Sequence, residues 1–313
     1  MRKKLLAGVM ALALCSTNMP LQTIFAGEFT SGNLEEVSEE TPEIFSDDNQ
    51  EVIEETEEEL SVFSSENVPD FSSEANVMSA TADGTEPIKE ININDTNSSN
   101  LYDKNEHKWK ITSAGSYKFN GTGATTSIPI IIESITSGTV NIYLNNVNIV
   151  TDSNSASALH IESNNAYIYL ENDNYLETRN ETNEKHTLEI DPRSCLTTIN
   201  NSSNNNNGSL TVKSINSHGI YSYSPLIIDG SSVTASSRSG IGIGGKSSNI
   251  TVNGGSVIAS STHGTGIGGE KSNITVNGGS VIASSTHGTG IGGEKSNITV
   301  NGGSVIASST HGT

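Results

Sequence analysis

The last third of the chain repeats one pattern of apolar and polar positions. Residues 248–259 recur unchanged from Ser272 and again from Ser296. Within a unit, Ile250 and Val252 alternate with polar residues, and a second short alternating run follows an Asn-Gly-Gly turn, which predicts two strands. Ile267 among glycines predicts a third, very short strand. The unit has no helical stripe. Three short strands per repeat predict an all-β fold: a right-handed, single-stranded parallel β-helix, a solenoid.

Such a solenoid stacks residues one repeat apart at the strand spacing, which predicts three kinds of column. The isoleucines equivalent to Ile250 and the valines equivalent to Val252 form core rows, and the asparagines equivalent to Asn249 form an amide ladder. His263, His287 and His311 form a third column. A transition metal bridging neighbouring histidines is one interpretation of it, and a duplicated turn residue is the simpler one. We therefore predict no metal site.

The same alternation continues upstream in a less regular form. Residues 140–144 align with 166–170, residues 225–230 align with 249–254, and residues 209–212 align with 224–228. Residues 89–313 are therefore predicted to form one domain of roughly nine coils. Its parts are an N-terminal cap at about 89–125 that includes Trp109, irregular coils at about 126–223, and 24-residue repeats at 224–313 that stop inside a unit.

The N-terminal segments have a different composition. A basic start, a short apolar run and a small residue near position 26 predict a signal peptide at 1–26. Its apolar run, from about Leu5 to Leu14, is too short to span a membrane as a helix. Residues 27–88 contain 19 of the 36 Asp and Glu residues and no Lys or Arg, which predicts a disordered acidic linker. Most of the net charge of −20 lies there, so the domain lacks the basic face that nucleic acid requires. We expect a secreted or cell-surface bacterial protein.

A series of sequence blocks carries a family resemblance. The blocks are residues 138–149, 157–161, 166–171, 207–212, 218–220 and 226–230. In this order they resemble the carbohydrate-binding β-helix domain of clostridial and related bacterial surface proteins, over about residues 108–245. The fold of that domain is similar to that of pectate lyases. The glycine-rich units resemble the Gly-Ile-Gly-Gly repeats of large Firmicute surface proteins.

The resemblance implies a polysaccharide partner, with plant cell-wall glycan as the expected class, and it leaves calcium open as a ligand. Family turns often place Asp before Gly-Ile, whereas this chain has His218 and Gly240 there, so we predict no required cofactor. A lyase on this fold needs an Arg or Lys base beside several carboxylates, and a calcium ion prefers six to eight oxygens. The scattered acids show neither arrangement, so we predict no catalytic residues and no enzyme activity.

The candidate binding site is a tyrosine-bearing face of the early coils. If Val140, Ile142 and Leu144 point inward, then Tyr143 points outward, and Tyr169 and Tyr167 do the same one coil later. Exposed aromatic rings with polar tips suit sugars, and a repeating strip suits an extended polymer. Asn141, Asn145 and Glu171 lie on the same face and supply hydrogen-bonding groups. An ordinary cross-strand aromatic pair is the alternative for these tyrosines.

Two functions remain open. The first is an extracellular, non-catalytic polysaccharide-binding module with its site on the tyrosine face. The second is a structural stalk or adhesin, in which the repeats act as a spacer, with cell-wall attachment through a missing C-terminal part. The irregular, tyrosine-bearing coils favour the first, and the nearly identical repeats favour the second. The passenger domain of a Gram-negative autotransporter would give a similar pattern.

Overall fold

The structure of the chain is a computed structural model, which describes residues 87–152, 156–179, 185–191, 196–201 and 208–312. The predicted signal peptide, nearly all of the predicted linker, and Cys195 lie outside these residues. The described part consists of strands joined by turns and contains no helix. The strands are β1 (Lys89–Asn92), β2 (Tyr102–Asp103), β3 (Lys108–Ile111), β4 (Gly115–Asn120), β5 (Ile130–Asn145), β6 (Asn148–Thr151), β7 (Leu159–Glu171), β8 (Asp173–Thr178), β9 (Leu188–Ile190), β10 (Leu196–Asn201), β11 (Ser209–Ser214), β12 (Ile220–Ser222), β13 (Leu226–Asp229), β14 (Ser232–Ser237), β15 (Ile243–Gly244), β16 (Asn249–Val252), β17 (Ser256–Ser261), β18 (Asn273–Val276), β19 (Ser280–Ser285), β20 (Asn297–Val300) and β21 (Ser304–Ser309).

These strands form a parallel β-solenoid of about eight turns, as the repeat pattern predicts. Face A contains β4, the second half of β5, the second half of β7, and then β10, β13, β16, β18 and β20. Face B contains β6, β8, β11, β14, β17, β19 and β21. Face C contains β3, the first parts of β5 and β7, and then β9, β12 and β15. Faces A and C belong to one hydrogen-bonded sheet because β5 and β7 are long enough to turn the corner between them.

The core is a set of continuous aliphatic rows inside the coils. On face A, one row holds Ile142, Ile168, Ile199, Ile228, Val252 and Val276, all almost completely buried. Burial alternates with exposure along nearly every strand, since successive side chains of a strand point to opposite sides. The predicted register of the repeats is confirmed by the pairing of Ile250 with Ile274 and of Ile274 with Ile298. Ile250 and Ile274 are buried, as predicted, whereas Ile298 in the last described coil is 46% exposed.

The turn from face A to face B needs a backbone that most residues avoid. Asn146 and Asn172 have φ values of 52° and 54° in the early coils, and Gly255 and Gly279 have 81° and 80° in the repeats. Asn tolerates this left-handed region, and Gly adopts it without steric cost. At Gly255 a Cβ atom would also lie 2.1 Å from the carbonyl oxygen of Ser231 in the preceding coil. The Asn-Gly-Gly signal therefore reflects both backbone conformation and the close stacking of coils.

Two predictions about the coils are wrong. Residues 209–212 do not align with 224–228, because Leu210 pairs with Val233 on face B, whereas Leu226 pairs with Thr197 on face A. The coils number about eight instead of nine. Both errors have the same cause: the early coils differ in loop length, so equal spacing is no guide to their register.

The N-terminal strands contain the largest buried aromatic cluster of the domain. Trp109 and Phe119 are fully buried with ring centroids 6.2 Å apart, and Tyr117 is buried as well. A short antiparallel pair, β2 with β3, lies at this end of the solenoid. Trp109 is therefore a core residue of the N-terminal coil, as predicted, and not a surface platform.

Candidate functional site

The outward side of face A carries the predicted tyrosines. Tyr143 lies on β5, and Tyr167 and Tyr169 lie on β7. Their strand neighbours Ile142 and Ile168 are fully buried, so the three tyrosines face away from the core, as predicted. Tyr143 and Tyr169 are register partners on adjacent coils, and Tyr167 is paired with Asn141.

The three tyrosine rings form a nearly parallel group. The ring centroids of Tyr143 and Tyr169 are 4.7 Å apart, with an interplanar angle of 18°. The centroids of Tyr167 and Tyr169 are 6.1 Å apart, with an angle of 15°. Because Tyr143 and Tyr169 stack on each other, each covers one face of the other ring. The surface left for a ligand consists of ring edges, the remaining ring faces and the hydroxyl groups.

The hydroxyl groups of Tyr143 and Tyr169 remain protonated well above neutral pH. Partial burial raises the pKa of Tyr143, and the nearby Glu171 carboxylate adds to the rise. Burial likewise raises the pKa of Tyr169, with smaller contributions from Tyr143 and Tyr167. A neutral phenol is both a hydrogen-bond donor and an acceptor, which matches the hydroxyl groups of a sugar.

The two predicted asparagines belong to hydrogen-bonded rows that cross the coils. The Asn145 amide donates to Asn120 Oδ1 at 2.9 Å, and Asn172 donates to Asn145 Oδ1 at 2.8 Å. Asn141 donates to Ser116 Oγ at 3.1 Å. Each amide is thereby held in one orientation, yet each remains half-buried and retains hydrogen-bonding capacity on its outer side.

Glu171 has a structural partner within the predicted site. Its Oε2 atom lies 2.7 Å from Lys118 Nζ, and both side chains are largely shielded, with exposures of 13% and 21%. Lys118 is the register partner of Tyr143, and Glu171 is the register partner of Asn145. The ion pair therefore runs across three coils beside the tyrosine rings and fixes the charge at one side of the group.

A second aromatic group lies on face C and was missed in the sequence. The Tyr221 ring stacks on His186 with centroids 4.1 Å apart and on His218 with centroids 4.5 Å apart. Tyr223 contacts Tyr221 edge-on, with centroids 4.6 Å apart and an angle of 77°. Tyr223 is 46% exposed. We refer to these four residues as the His–Tyr cluster.

A local signal for part of this cluster was present. Tyr221 and Tyr223 alternate with the inward-facing Ile220 and Ser222, the same pattern that identified Tyr167 and Tyr169. His186 gave no such signal, because it lies one irregular coil earlier and no fixed spacing relates it to Tyr221.

The histidine column of the repeats forms as predicted. His263, His287 and His311 stack with ring centroids 5.0 Å and 5.1 Å apart. Within the described ranges, no group of three or more His, Cys, Asp or Glu side chains is arranged to hold a metal ion. The same residues include no helix with the length and apolar character needed to cross a bilayer.

A shallow groove of about 550 Å³ follows the end of face B across several coils. Stacked serine and threonine residues form most of its wall, and Glu177, Lys213 and Arg238 lie at its N-terminal end. None of the predicted site residues lines it. The inner serines are committed to the backbone: Ser261 Oγ, for example, donates to the Gly240 carbonyl at 2.6 Å and accepts from the Gly264 amide at 2.7 Å.

Comparison with known proteins gives one match. A family model described as "Carbohydrate-binding domain-containing protein" matches residues 105–313. This range includes the tyrosine face, the His–Tyr cluster and all of the repeats. No curated protein and no solved structure matches the chain. Since the family match spans more than half of the chain, the chain belongs to the family of carbohydrate-binding domain-containing proteins.

Proposed function

We propose that this protein is an extracellular, non-catalytic module that binds polysaccharide through the tyrosine face of its early coils. The observation that carries the proposal is the near-parallel group of Tyr143, Tyr167 and Tyr169 on an outward strand surface. The family membership supports a carbohydrate as the ligand.

The chemistry of the face fits a sugar polymer. Aromatic edges and faces pack against the C–H groups of a pyranose, while phenol hydroxyls, Asn141 and Asn145 exchange hydrogen bonds with its hydroxyl groups. The site lies on an open strand surface that continues from coil to coil, which suits an extended chain, whereas a small molecule prefers a concave pocket. Plant cell-wall glycan is the class that we propose, on the strength of the family resemblance.

The proposal is tested by retention of the whole chain on insoluble cellulose, pectin and xylan, with calcium and with a chelator. Wild-type protein should be retained on at least one polymer. Tyr143→Ala/Tyr169→Ala should reduce that retention at least ten-fold, because it removes the stacked pair that forms the centre of the face. The comparison between calcium and chelator decides whether an ion takes part.

A matched control comes from the same side of the solenoid. Thr251 and Thr275 lie outward on face A, in the column that contains Asn141 and Tyr167 further upstream. Thr251→Ala/Thr275→Ala should leave retention unchanged. Equal losses in both double variants would contradict a site on the tyrosine face. Absence of retention for wild-type protein on every polymer would reject the plant-glycan proposal.

The repeats support a second role that is compatible with the first. Their residues pair in strict register, and Asn249, Asn273 and Asn297 form an uninterrupted amide ladder. Such a regular stack is suited to a spacer whose length changes by duplication of the unit. Deletion of residues 249–272 should shorten the molecule by one coil and leave polysaccharide retention intact if the repeats are only a spacer.

A further inference from the structure

Hydrogen bonds and ring stacking fix the side chains of the His–Tyr cluster in place. His186 is 6% exposed, and its Nδ1 atom lies 2.7 Å from Ser217 Oγ. His218 accepts a 2.6 Å hydrogen bond at Nδ1 from the backbone N–H of Ile241, in the next coil. With Tyr221 stacked against both imidazoles, the three rings form a fixed support beneath Tyr223.

The next coil provides room for this support by using glycine. A Cβ atom on Gly240 would lie 2.5 Å from His218 Nδ1, and one on Gly245 would lie 3.1 Å from Cε2 of Tyr221. The first glycine-rich coil therefore packs directly on the cluster. The cluster lies at the junction between the irregular coils and the repeats. It is about two coils further along the solenoid axis than the tyrosine face.

The two imidazoles of this support are uncharged at neutral pH. Burial lowers the pKa of His186 to about 3, with a smaller contribution from His218, and burial lowers the pKa of His218 to about 4. Tyr223 contacts Tyr221, which stacks on these neutral imidazoles, while almost half of the Tyr223 surface faces solvent. An exposed aromatic ring fixed on a rigid base contacts a ligand with little loss of side-chain entropy.

The charged residues around Tyr223 indicate which ligands fit. The Tyr223 N–H donates to the Ile190 carbonyl at 3.1 Å, which places the tyrosine beside Asp191, and Tyr221 is the register partner of Glu189. On the other side, Lys246 is engaged by Glu270, with Nζ 3.2 Å from Oε2. Carboxylates accept hydrogen bonds from sugar hydroxyls and repel the carboxylates of uronic acids.

We propose that Tyr223 forms a second carbohydrate contact, which takes a neutral pyranose unit at the junction between the early coils and the repeats. The proposal rests on the proposed function, since it assumes that the chain binds glycan. It assigns a role to a surface outside the tyrosine face and predicts that this surface discriminates against acidic sugars.

The test uses the whole chain with three soluble probes: cellohexaose, xylohexaose and an oligogalacturonate of similar length. Affinities are measured by isothermal titration calorimetry for the wild type, Tyr223→Ala and Tyr223→Phe. We expect Tyr223→Ala to weaken binding of a neutral hexaose about ten-fold, the scale of a lost aromatic contact. Tyr223→Phe keeps the ring and should remain within about three-fold of wild type.

Ile258→Ala is the matched control, because Ile258 is 40% exposed but lies on face B of the repeats. Its affinity should equal that of the wild type. A direct readout comes from Tyr223→Trp, since the native Trp109 is fully buried and contributes a constant background. Addition of the neutral hexaose should shift the emission of the new indole to shorter wavelength.

Failure of this proposal is distinguishable from failure of the proposed function. If hexaose binding is lost in Tyr143→Ala/Tyr169→Ala but unchanged in Tyr223→Ala, the second contact is wrong and the tyrosine face stands. If Tyr223→Ala weakens oligogalacturonate binding as much as hexaose binding, the neutral-sugar assignment is overturned. If the wild type binds no probe and no insoluble polymer, both proposals are rejected.

Discussion

The early coils and the repeats share one interior but present different surfaces. The inward row that begins at Ile142 and Ile168 continues into the repeats as Val252 and Val276 without a break. The adjacent outward column changes completely. It runs through Ser116, Asn141, Tyr167, Thr198, Ile227, Thr251, Thr275 and Thr299.

This difference separates the surface that the proposed function assigns to recognition from the core that both regions share. Inward positions must fill a narrow core, and apart from the aromatic cluster of the N-terminal strands they carry mostly aliphatic or small side chains in both regions. Outward positions are free of that constraint. Tyrosines occupy them in the early coils, whereas the repeats carry threonines, a histidine column and exposed Lys–Glu pairs there. Stability should therefore respond similarly to substitutions in the two cores, whereas recognition should respond only to outward substitutions in the early coils.

The largest expected effect tests the shared interior. Ile168 and Ile274 are each at most 1% exposed to solvent. Ile168 lies on face A in an early coil, and Ile274 lies on face A in a repeat. Ile168→Ala and Ile274→Ala should each reduce the free energy of unfolding by about 2–5 kcal/mol, because each leaves a cavity between coils. Urea unfolding monitored by circular dichroism measures both.

Thr275→Ala provides the control, since Thr275 is the outward neighbour of Ile274. Its effect should stay within about 0.5 kcal/mol. A much smaller cost for Ile274→Ala than for Ile168→Ala would mean that the repeats do not share the packing of the early coils. The comparison between the two regions would then lose its basis.

The regularity of the repeats determined how much of this fold was predictable. Equal spacing alone places Ile250, Ile274 and Ile298 in register, and the pairing of β16, β18 and β20 confirms it. In the early coils, loops of unequal length separate Asn174 from Leu210 and Leu210 from Val233, which are successive register partners. Alternation gives the orientation of each strand there, but it does not say which strand follows which.

For the candidate site, too, the sequence predicted the orientation of the side chains but not their detailed arrangement. Alternation correctly places Tyr143 and Tyr169 outward and on neighbouring coils. It does not fix side-chain torsions, so it could not show that the two rings stack on each other and leave only part of their faces exposed. The His–Tyr cluster depends on contacts between residues of three coils, such as His186, His218 and Gly245, and no local pattern contains them.

The second prediction uses His186, which is buried, and His218, which is half-buried; both lie upstream of the repeats. Both have a pKa below the value of about 6.5 that they have in an unfolded chain, at about 3 for His186 and about 4 for His218. Their neutral forms thus favour the folded state. This contribution is complete above about pH 6.5 and is lost as pH falls toward 4, because the unfolded chain takes up protons that the folded chain refuses.

The urea midpoint should accordingly fall between pH 7 and pH 4.5, and His186→Gln/His218→Gln should flatten that decline. Each single substitution should flatten it in part. An unchanged pH dependence in the double variant would show that other groups control acid stability. It would also weaken the argument that neutral imidazoles support Tyr223.

The smallest expected effect comes from the amide ladders, which occur in both regions. Asn273 donates to Asn249 at 2.8 Å and accepts from Asn297 at 2.9 Å, and Asn145 has the same two bonds with Asn120 and Asn172. Asn273→Ala and Asn145→Ala should each cost about 1 kcal/mol of unfolding free energy, since these bonds are exposed or only partly shielded.

The two asparagines should differ only in recognition. Asn145 lies beside Tyr143 on the tyrosine face, so Asn145→Ala should weaken polysaccharide retention several-fold, while Asn273→Ala should not change it. If the two variants lose equal stability but only Asn145→Ala loses retention, then Asn145 contributes to binding in addition to its structural role. If both variants retain polysaccharide equally well, the ladder serves only to align the coils, and the tyrosine rings alone must account for binding on face A.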